Sequence, residues 1–403
     1  MADGLRVGVI GGGVVGLCVA YALTGDGHEV TVLDAAQLGA GTSLGNTGWV
    51  TPSFSYPLAA PGVVREGLRA AFDRNGALVM RPGLDPAFLA WLWRFRQRAT
   101  LERMREGTRV LIELNRHTLE LFDEYAAAGV AFEMHASGLV VVAKAPEKLN
   151  TYRESFAEMR RLGHDAGLVE LDLDELIEAE PALDRATVRA GMRATVDRFV
   201  RPESLSAGLA VWLRAHGADL REGWPVASLA RDGAGWRVAG AAGADRFDRV
   251  VVATGLGSVA LMRTLGVKLA MVGAKGYSIT SRGSGTAPRT ALYLAEPRLG
   301  ISGYDGAVRI AGVFELPGRD TNVDARRIER FTRTACSYLA DWQPTDDVSS
   351  WAGLRPATPD GLPILGPADG LPGLYLATGH GMLGITLGPA TGARIAGLVR
   401  AER

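Results

Sequence analysis

Apolar residues in this chain come in short unbroken blocks closed by glycine, rather than in the strict alternation of a half-exposed sheet. Residues 5–10 (LRVGVI) form one such block, the pattern of a strand buried on both faces. Residues 11–16 (GGGVVG) follow, and residues 17–23 (LCVAYAL) continue as an apolar helix. A second block, residues 29–33, ends at Asp34, 18 residues beyond Gly16. Later, residues 246–255 hold a buried strand at 250–253 that ends in Thr254-Gly255. Residues 374–384 (LYLATGHGMLG) give a third strand ending in glycines, and the pattern after it predicts a helix from about 389 to 398. Between these segments, residues 86–110 and 111–128 read as helices, and residues 138–143 and 308–314 as strands.

The first of these blocks carries chemistry. Gly11, Gly13 and Gly16 fit G-x-G-x-x-G between a strand and a helix. Gly11 permits the tight turn, Gly13 lets backbone approach a pyrophosphate, and Gly16 lets the helix pack closely on the sheet. Val14 and Val15 lie within this motif just ahead of the helix, whose N-terminal N–H groups and positive dipole favour phosphate. Asp34, at the end of the second strand, can accept hydrogen bonds from ribose hydroxyls and disfavours a 2′-phosphate. Strand, turn, helix, second strand and acid all fall at the expected spacing, so a dinucleotide is expected here. The motif alone does not separate FAD from NAD. Three glycine-ended strands far apart in sequence suit one large cofactor gathered from distant segments, which favours FAD.

Composition narrows the picture. The 403 residues are 47% hydrophobic, enough for a sizeable core and two or three domains. The 44 Lys+Arg balance the 44 Asp+Glu, so no global field argues for nucleic acid as a partner. Two cysteines, Cys18 and Cys336, exclude a disulfide framework or zinc site by count, and no metal is expected. No basic region followed by an apolar one opens the chain, and no run of 18 apolar residues occurs, so the expected compartment is the cytoplasm. Residues 86–99 (PAFLAWLWRFRQRA) set tryptophans beside Arg94, Arg96 and Arg98. Their favoured reading is a helix with its aromatic face in the core and its arginines in water. The alternative is a peripheral contact with the inner face of a membrane.

The chain resembles the flavin-dependent D-amino-acid dehydrogenases, within the wider group that holds glycine oxidase and sarcosine oxidase. Residues 351–361 (WAGLRPATPDG) look like the family's W-x-G-L-R-P-x-T-P-D-G block, and residues 378–384 (TGHGMLG) like its flavin-contacting T-G-H-G-x-L-G block. Residues 42–52 resemble the T-S-x-x-N-x-G-x-x-x-P stretch, and residues 275–278 match K-G-Y-S. The resemblance implies an α/β chain, α+β overall, with a Rossmann-like FAD-binding domain and an inserted substrate domain built on a mixed or antiparallel sheet. The expected boundaries are 1–57, 168–262 and 347–403 for FAD, and 58–167 with 263–346 for substrate. It also implies non-covalent FAD contacted by Thr42, Ser43, Asn46, Thr47, Gly48, Val226, Ala253, Thr254, Gly255, Gly379, Gly381, Met382, Leu383 and Gly384. Sarcosine oxidases attach flavin through a cysteine close to the G-L-R-P region, whereas Cys336 lies well before it.

By the same resemblance Arg355 holds the substrate carboxylate, a role suited to a planar, permanently charged fork. Tyr277 is expected to line the substrate pocket, and His380 to act there through backbone or side chain. The implied reaction is oxidation of a small D-amino acid by hydride transfer from Cα to flavin N5, giving an imine and then a keto acid. No dedicated base is needed if the amine arrives neutral. Electrons would pass to oxygen, or to a quinone of a respiratory chain. The glycine oxidase subgroup carries a second arginine where this chain has Met382, which disfavours a doubly clamped small substrate. Alternatives are oxidation of glycine, D-proline, hydroxyproline or N-methyl amino acids, a non-catalytic FAD-binding subunit, and an NAD-dependent dehydrogenase.

Overall fold

In the computed structural model, residues 4–63, 76, 78–81 and 85–402 are described. The first apolar block becomes strand Arg6–Ile10 at the centre of a six-stranded sheet. Its order is Asp219–Arg221, Glu29–Leu33, Arg6–Ile10, Arg249–Val252, Leu374–Thr378 and Ile364–Pro367. The pairings are parallel except the last, which is antiparallel. Continuous apolar strands are required because both faces are covered. Helices Val14–Gly25, Pro202–Ala215 and Gly384–Ala401 pack on one face, around Leu17, Val32, Leu209 and Ile395. On the other face lie Trp224, Trp236 and Phe247, two of them from a three-stranded antiparallel sheet.

A second, nine-stranded sheet is mixed. Strands Ser349–Ala357, Val272–Ser281, Ala307–Leu316, Leu299–Tyr304 and Ala291–Leu294 run antiparallel to one another in that order, whereas Ala291–Leu294 pairs parallel with Leu139–Ala143 and Ala307–Leu316 with Leu78–Met80. The strands expected at 138–143 and 308–314 are thus Leu139–Ala143 and Ala307–Leu316. Strand membership moves two of the expected boundaries. Leu168–Leu171 and Ala190–Ala194 lie beyond 167 yet continue this sheet, because Ala190–Ala194 pairs along the whole of Leu139–Ala143. Ser349–Ala357 lies beyond 346 yet pairs with Val272–Ser281 from Val272↔Ala357 to Thr280↔Ser349.

Local chemistry corrects the helices. Residues 86–110 are not one helix: Pro86–Arg98 is capped by Asp85, and a new helix, Leu101–Asn115, starts where the Thr100 hydroxyl accepts the Arg103 N–H at 3.3 Å. A hydroxyl that satisfies an orphan N–H ends one helix and opens another even where apolar spacing runs on. The helix expected from 111 to 128 begins only at Thr118 and ends at Ala127. The last helix starts at Gly384, not near Pro389. Proline near a helix start removes a single intrahelical bond, a small loss beside the burial of Ile385, Leu387, Ile395 and Val399, each contributing about 1.5–3 kcal/mol.

Candidate active site

The nucleotide end is built at the carboxyl ends of the central strands, where the strand order reverses. Gly11 has φ +105°, and a Cβ there would lie 2.6 Å from the Ala253 carbonyl oxygen. A Cβ on Gly16 would lie 1.8 Å from the Gly11 carbonyl oxygen, so the fold itself demands these two glycines. Gly13 differs. Its φ of −70° and ψ of 175° suit any residue, and its Cβ would meet nothing closer than the Ser43 hydroxyl at 3.6 Å. A side chain at position 13 would therefore meet open space at the N-terminus of helix Val14–Gly25. The N-cap Gly13 offers no side chain of its own and no acid stands in the helix's first turn, which suits an anionic pyrophosphate.

Asp34 is half-buried beside this space. Its Oδ2 accepts the Gly12 N–H at 2.6 Å and its Oδ1 the Ala36 N–H at 2.8 Å, which fixes the carboxylate and leaves lone pairs for ribose hydroxyls. Trp224 N–H donates to the Asp34 carbonyl at 2.7 Å, bringing Val226 alongside, packed with Ile10 and Leu33. Ala253 sits against Gly11 and Gly16. Thr254 and Gly255 are tied to the third glycine-ended strand, since Thr378 Oγ1 donates to the Gly255 carbonyl at 2.8 Å and Ser258 Oγ bonds both Thr254 and Thr378. Exchanging Asp34 for Ala should weaken binding of the expected dinucleotide about ten- to a hundredfold, since hydrogen bonds to a charged group contribute about 1.5–3 kcal/mol. Flavin content after exhaustive dialysis checks this, and full occupancy would remove the ribose contact.

Residues 42–48 run from the start of helix Val14–Gly25 towards the second sheet. Ser43 Oγ accepts the Val14 N–H at 3.2 Å, and Thr42 Oγ1 donates to the Leu354 carbonyl at 2.9 Å. Asn46 Oδ1 accepts the Gly48 N–H at 2.7 Å, where Gly48 has φ +75°. Beyond Asn46 and Thr47 opens a cavity of about 1100 Å³. Gly379, His380, Gly381, Met382 and Leu383 line one side, while Arg355, Val313 and Phe314 line the sheet side. Gly384 lies just behind, at the start of the last helix, with Val15 near it. The open cradle at Gly13, the oriented carboxylate of Asp34 and this cavity together fit an extended dinucleotide with a planar ring system.

Arg355 projects into the cavity over Gly276, where a Cβ would lie 2.1 Å from its guanidinium. One N–H donates to the Val313 carbonyl at 3.0 Å. Among the described residues no carboxylate pairs with it, and burial alone pushes its pKa down to about 10. The competing pairing with Asp360 does not form; that carboxylate accepts the Leu362 N–H at 3.2 Å. Val313 reaches Arg355 through an unusual backbone. Pairing slips between Lys275 and Tyr277, placing a bulge on strand Ala307–Leu316, and Val313 adopts φ +65°. Such a conformation costs a β-branched residue about 1–3 kcal/mol, and bulges re-aim groups beside sites. The Val313 side chain packs in the core on the far face, while its carbonyl serves the cavity.

Tyr277 does not line the cavity. Side chains alternate along a strand, so with Gly276 beneath Arg355, its neighbours Lys275 and Tyr277 face the other side. There Tyr277 is buried among Ile279, Val308 and Ile310, under the charges of Lys275 and Arg327. His380 does line the cavity, but its Nε2 pairs with Thr391 Oγ1 at 3.0 Å and burial pushes its pKa down to about 4. At neutral pH it is an uncharged tether between loop and helix. Sequence reasoning missed a ring cluster on the wall: Phe54, Tyr56, Tyr152 and Tyr293, with centroid separations such as 5.5 Å for Phe54–Tyr293 and 5.6 Å for Tyr152–Tyr293. No local motif marks these residues, which come from three distant segments.

Behind the wall, Asp197 is fully buried and accepts hydrogen bonds from the Ser53 hydroxyl and N–H. Burial pushes its carboxyl from 3.8 up to about 7, partly offset by those bonds. The folded protein therefore keeps a proton that the unfolded chain has already released, and stability falls as pH rises through that window. Asp197→Asn should flatten this loss, which is at most about 4 kcal/mol. Urea melts at about pH 5 and about pH 8 check it: an equal pH dependence in the variant would discard the assignment.

The comparisons agree with this architecture. Residues 6–398 match the model of the family described as FAD dependent oxidoreductase. A D-amino acid dehydrogenase of Methylobacterium radiotolerans is 33% identical, over 98% of this chain and 96% of that one. Another from Cereibacter sphaeroides is 32% identical, over 98% and 92%. Among solved structures, glycine oxidase from Geobacillus kaustophilus superposes with a TM-score of 0.76 at 22% identity, covering 98% of this chain and 95% of that one. L-proline dehydrogenase from P. horikoshii gives 0.73 at 19%, covering 100% and 95%. At such identities the likeness is one of fold. The matched family model, the two whole-length relatives and the Rossmann-like sheet with its glycine turn place this chain in the FAD-dependent oxidoreductase family.

Proposed function

We propose that this flavoenzyme oxidises D-amino acids at the carbon bearing nitrogen, releasing an imine that water converts to keto acid and ammonia. Residues around Gly11–Gly16 and Asp34 would hold the dinucleotide, and residues 42–48, 253–255 and 379–384 the ring system. When bound, FAD supplies the acceptor for a hydride leaving Cα. The chain supplies orientation. Arg355 would fix the substrate carboxylate by paired, charge-assisted hydrogen bonds, and positioning of the reacting carbon is much of what such a transfer requires. The aromatic wall excludes water from that carbon. The amine enters neutral, so no side chain is assigned as base, and His380 Nε2 is held by Thr391.

The observation that carries the reading is a half-buried guanidinium in the cavity with no internal carboxylate among the described residues. The names of the whole-length relatives supply the substrate class. FAD is assigned as non-covalent: Cys18 and Cys336 are both buried and neither lines the cavity. The experiment is anaerobic mixing with D-alanine, D-proline and a panel of other amino acids. Loss of the oxidised-flavin absorbance with a D-amino acid supports the reading, and flavin left oxidised by the whole panel overturns it in favour of a binding subunit.

Electrons would pass to a respiratory quinone or to oxygen. Among the described residues no helix is long and apolar enough to cross a membrane. Helix Pro86–Arg98 buries Phe88, Trp91 and Phe95 against the second sheet, with Trp91 Nε1 donating to the Ala357 carbonyl at 2.9 Å. Trp93 remains 60% exposed beside Arg94 and Arg96, a face that supports a peripheral contact with anionic lipid. Sedimentation with anionic vesicles tests that contact; equal recovery with neutral vesicles would remove it.

A further inference from the structure

Arg309 stands outside every motif above, yet it holds the loop on which the cavity depends. It lies on strand Ala307–Leu316 and is 4% exposed. Nη1 donates at 2.8 Å to two carbonyls of the loop, those of Leu44 and Asn46. Nε donates to Thr280 Oγ1 at 2.9 Å, and Nη2 pairs with Glu203 at the start of helix Pro202–Ala215. The next loop carbonyl is gripped by neighbours on the adjoining strand: Ser302 Oγ and Tyr304 Oη donate to Thr47 at 2.9 and 2.7 Å. Trp351 presses on the loop as well, since a Cβ on Gly45 would lie 2.0 Å from its ring.

These bonds decide which way the loop's peptides face. In a planar trans peptide the N–H points opposite to the carbonyl. With the carbonyls of Leu44 and Asn46 turned to Arg309, the N–H groups of Gly45 and Thr47 are turned from the second sheet towards the cavity, which both residues line. The N–H groups of Leu44 and Asn46 instead close turns inside the loop, onto Gly41 and Ser43. We propose that Arg309 is a positioning residue for cofactor binding, fixing a loop whose amides donate to carbonyl or ring-nitrogen acceptors of FAD. An arginine suits the task because one rigid fork can serve two carbonyls, a hydroxyl and a carboxylate together, which lysine cannot. The inference rests on the reading of the cavity as the FAD site.

The test is FAD titration of apoprotein, followed by flavin fluorescence, for wild type, Arg309→Lys and Arg309→Met, with thermal melts of apo and holo forms. The expected result is FAD binding weakened roughly tenfold in Arg309→Met and less in Arg309→Lys, so that the gap between holo and apo melting narrows. Apo and holo melting lowered equally, at unchanged FAD affinity, would reduce Arg309 to a purely structural residue. Should Arg309→Met fail to fold, Ser302→Ala with Tyr304→Phe loosens the same loop through neutral groups, and unchanged FAD affinity there overturns the proposal. A wild-type chain that binds no FAD would instead sink the reading of the cavity, not the loop argument alone.

Discussion

Arg355→Met should lower kcat/KM for a D-amino acid by roughly a hundredfold to a thousandfold, mostly through KM, while flavin content stays normal. Removing one partner of a buried charge-assisted pair costs about 2–5 kcal/mol, and each 1.4 kcal/mol is tenfold. Stability should move the other way. Without substrate the guanidinium is desolvated, has no internal carboxylate among the described residues and rests on a single carbonyl bond to Val313. An apolar side chain of similar length relieves that cost, so the melting temperature should hold or rise. Burial lowers the guanidinium pKa only to about 10, so the clamp itself stays charged across neutral pH, and a rise of kcat/KM with pH there reports loss of the amine proton. Steady-state kinetics with D-alanine, flavin absorbance and a thermal melt check the three parts. Normal KM with a lowered melting temperature would make Arg355 a structural residue and remove the clamp.

The proposed clamp was legible in sequence only as a motif, and what surrounds it shows why. Residues 5–34 could be read outright, since strand, glycine turn, helix and acid lie within one short segment. Arg355 came from a contiguous block. Tyr277 failed because alternation along a strand states that two faces exist, without stating which face meets the cavity; the glycine beside it, Gly276, was the usable signal. Val313 could not be foreseen, as a β-branched residue gives no sign of a left-handed backbone. The ring cluster of Phe54, Tyr56, Tyr152 and Tyr293 assembles only when the second sheet brings strand Ala291–Leu294 beside Leu139–Ala143. Long-range pairing also explains the displaced boundaries, since Ala190–Ala194 reads as well for one sheet as for the other until its partner is known.

Gly13→Val should abolish most FAD binding while leaving the apoprotein as stable as wild type. The three motif glycines look alike in sequence but are held by different constraints. Substituting Gly11 or Gly16 drives a Cβ into backbone, at 2.6 Å and 1.8 Å, so loss of cofactor in those variants would be inseparable from damage to the fold. At Gly13 the backbone is extended enough for valine and the nearest atom is the Ser43 hydroxyl, 3.6 Å from the new Cβ. Nothing within the chain requires glycine there. Its one remaining justification is close approach of a ligand to the helix N-terminus. Two methyl groups placed in that approach should weaken FAD by about 10- to 100-fold, the range expected of a 1–3 kcal/mol steric cost. Apo melting measured beside FAD titration separates the cases. If valine at 13 unfolds the apoprotein, or leaves FAD affinity intact, the open space at the start of helix Val14–Gly25 is not where the diphosphate lies.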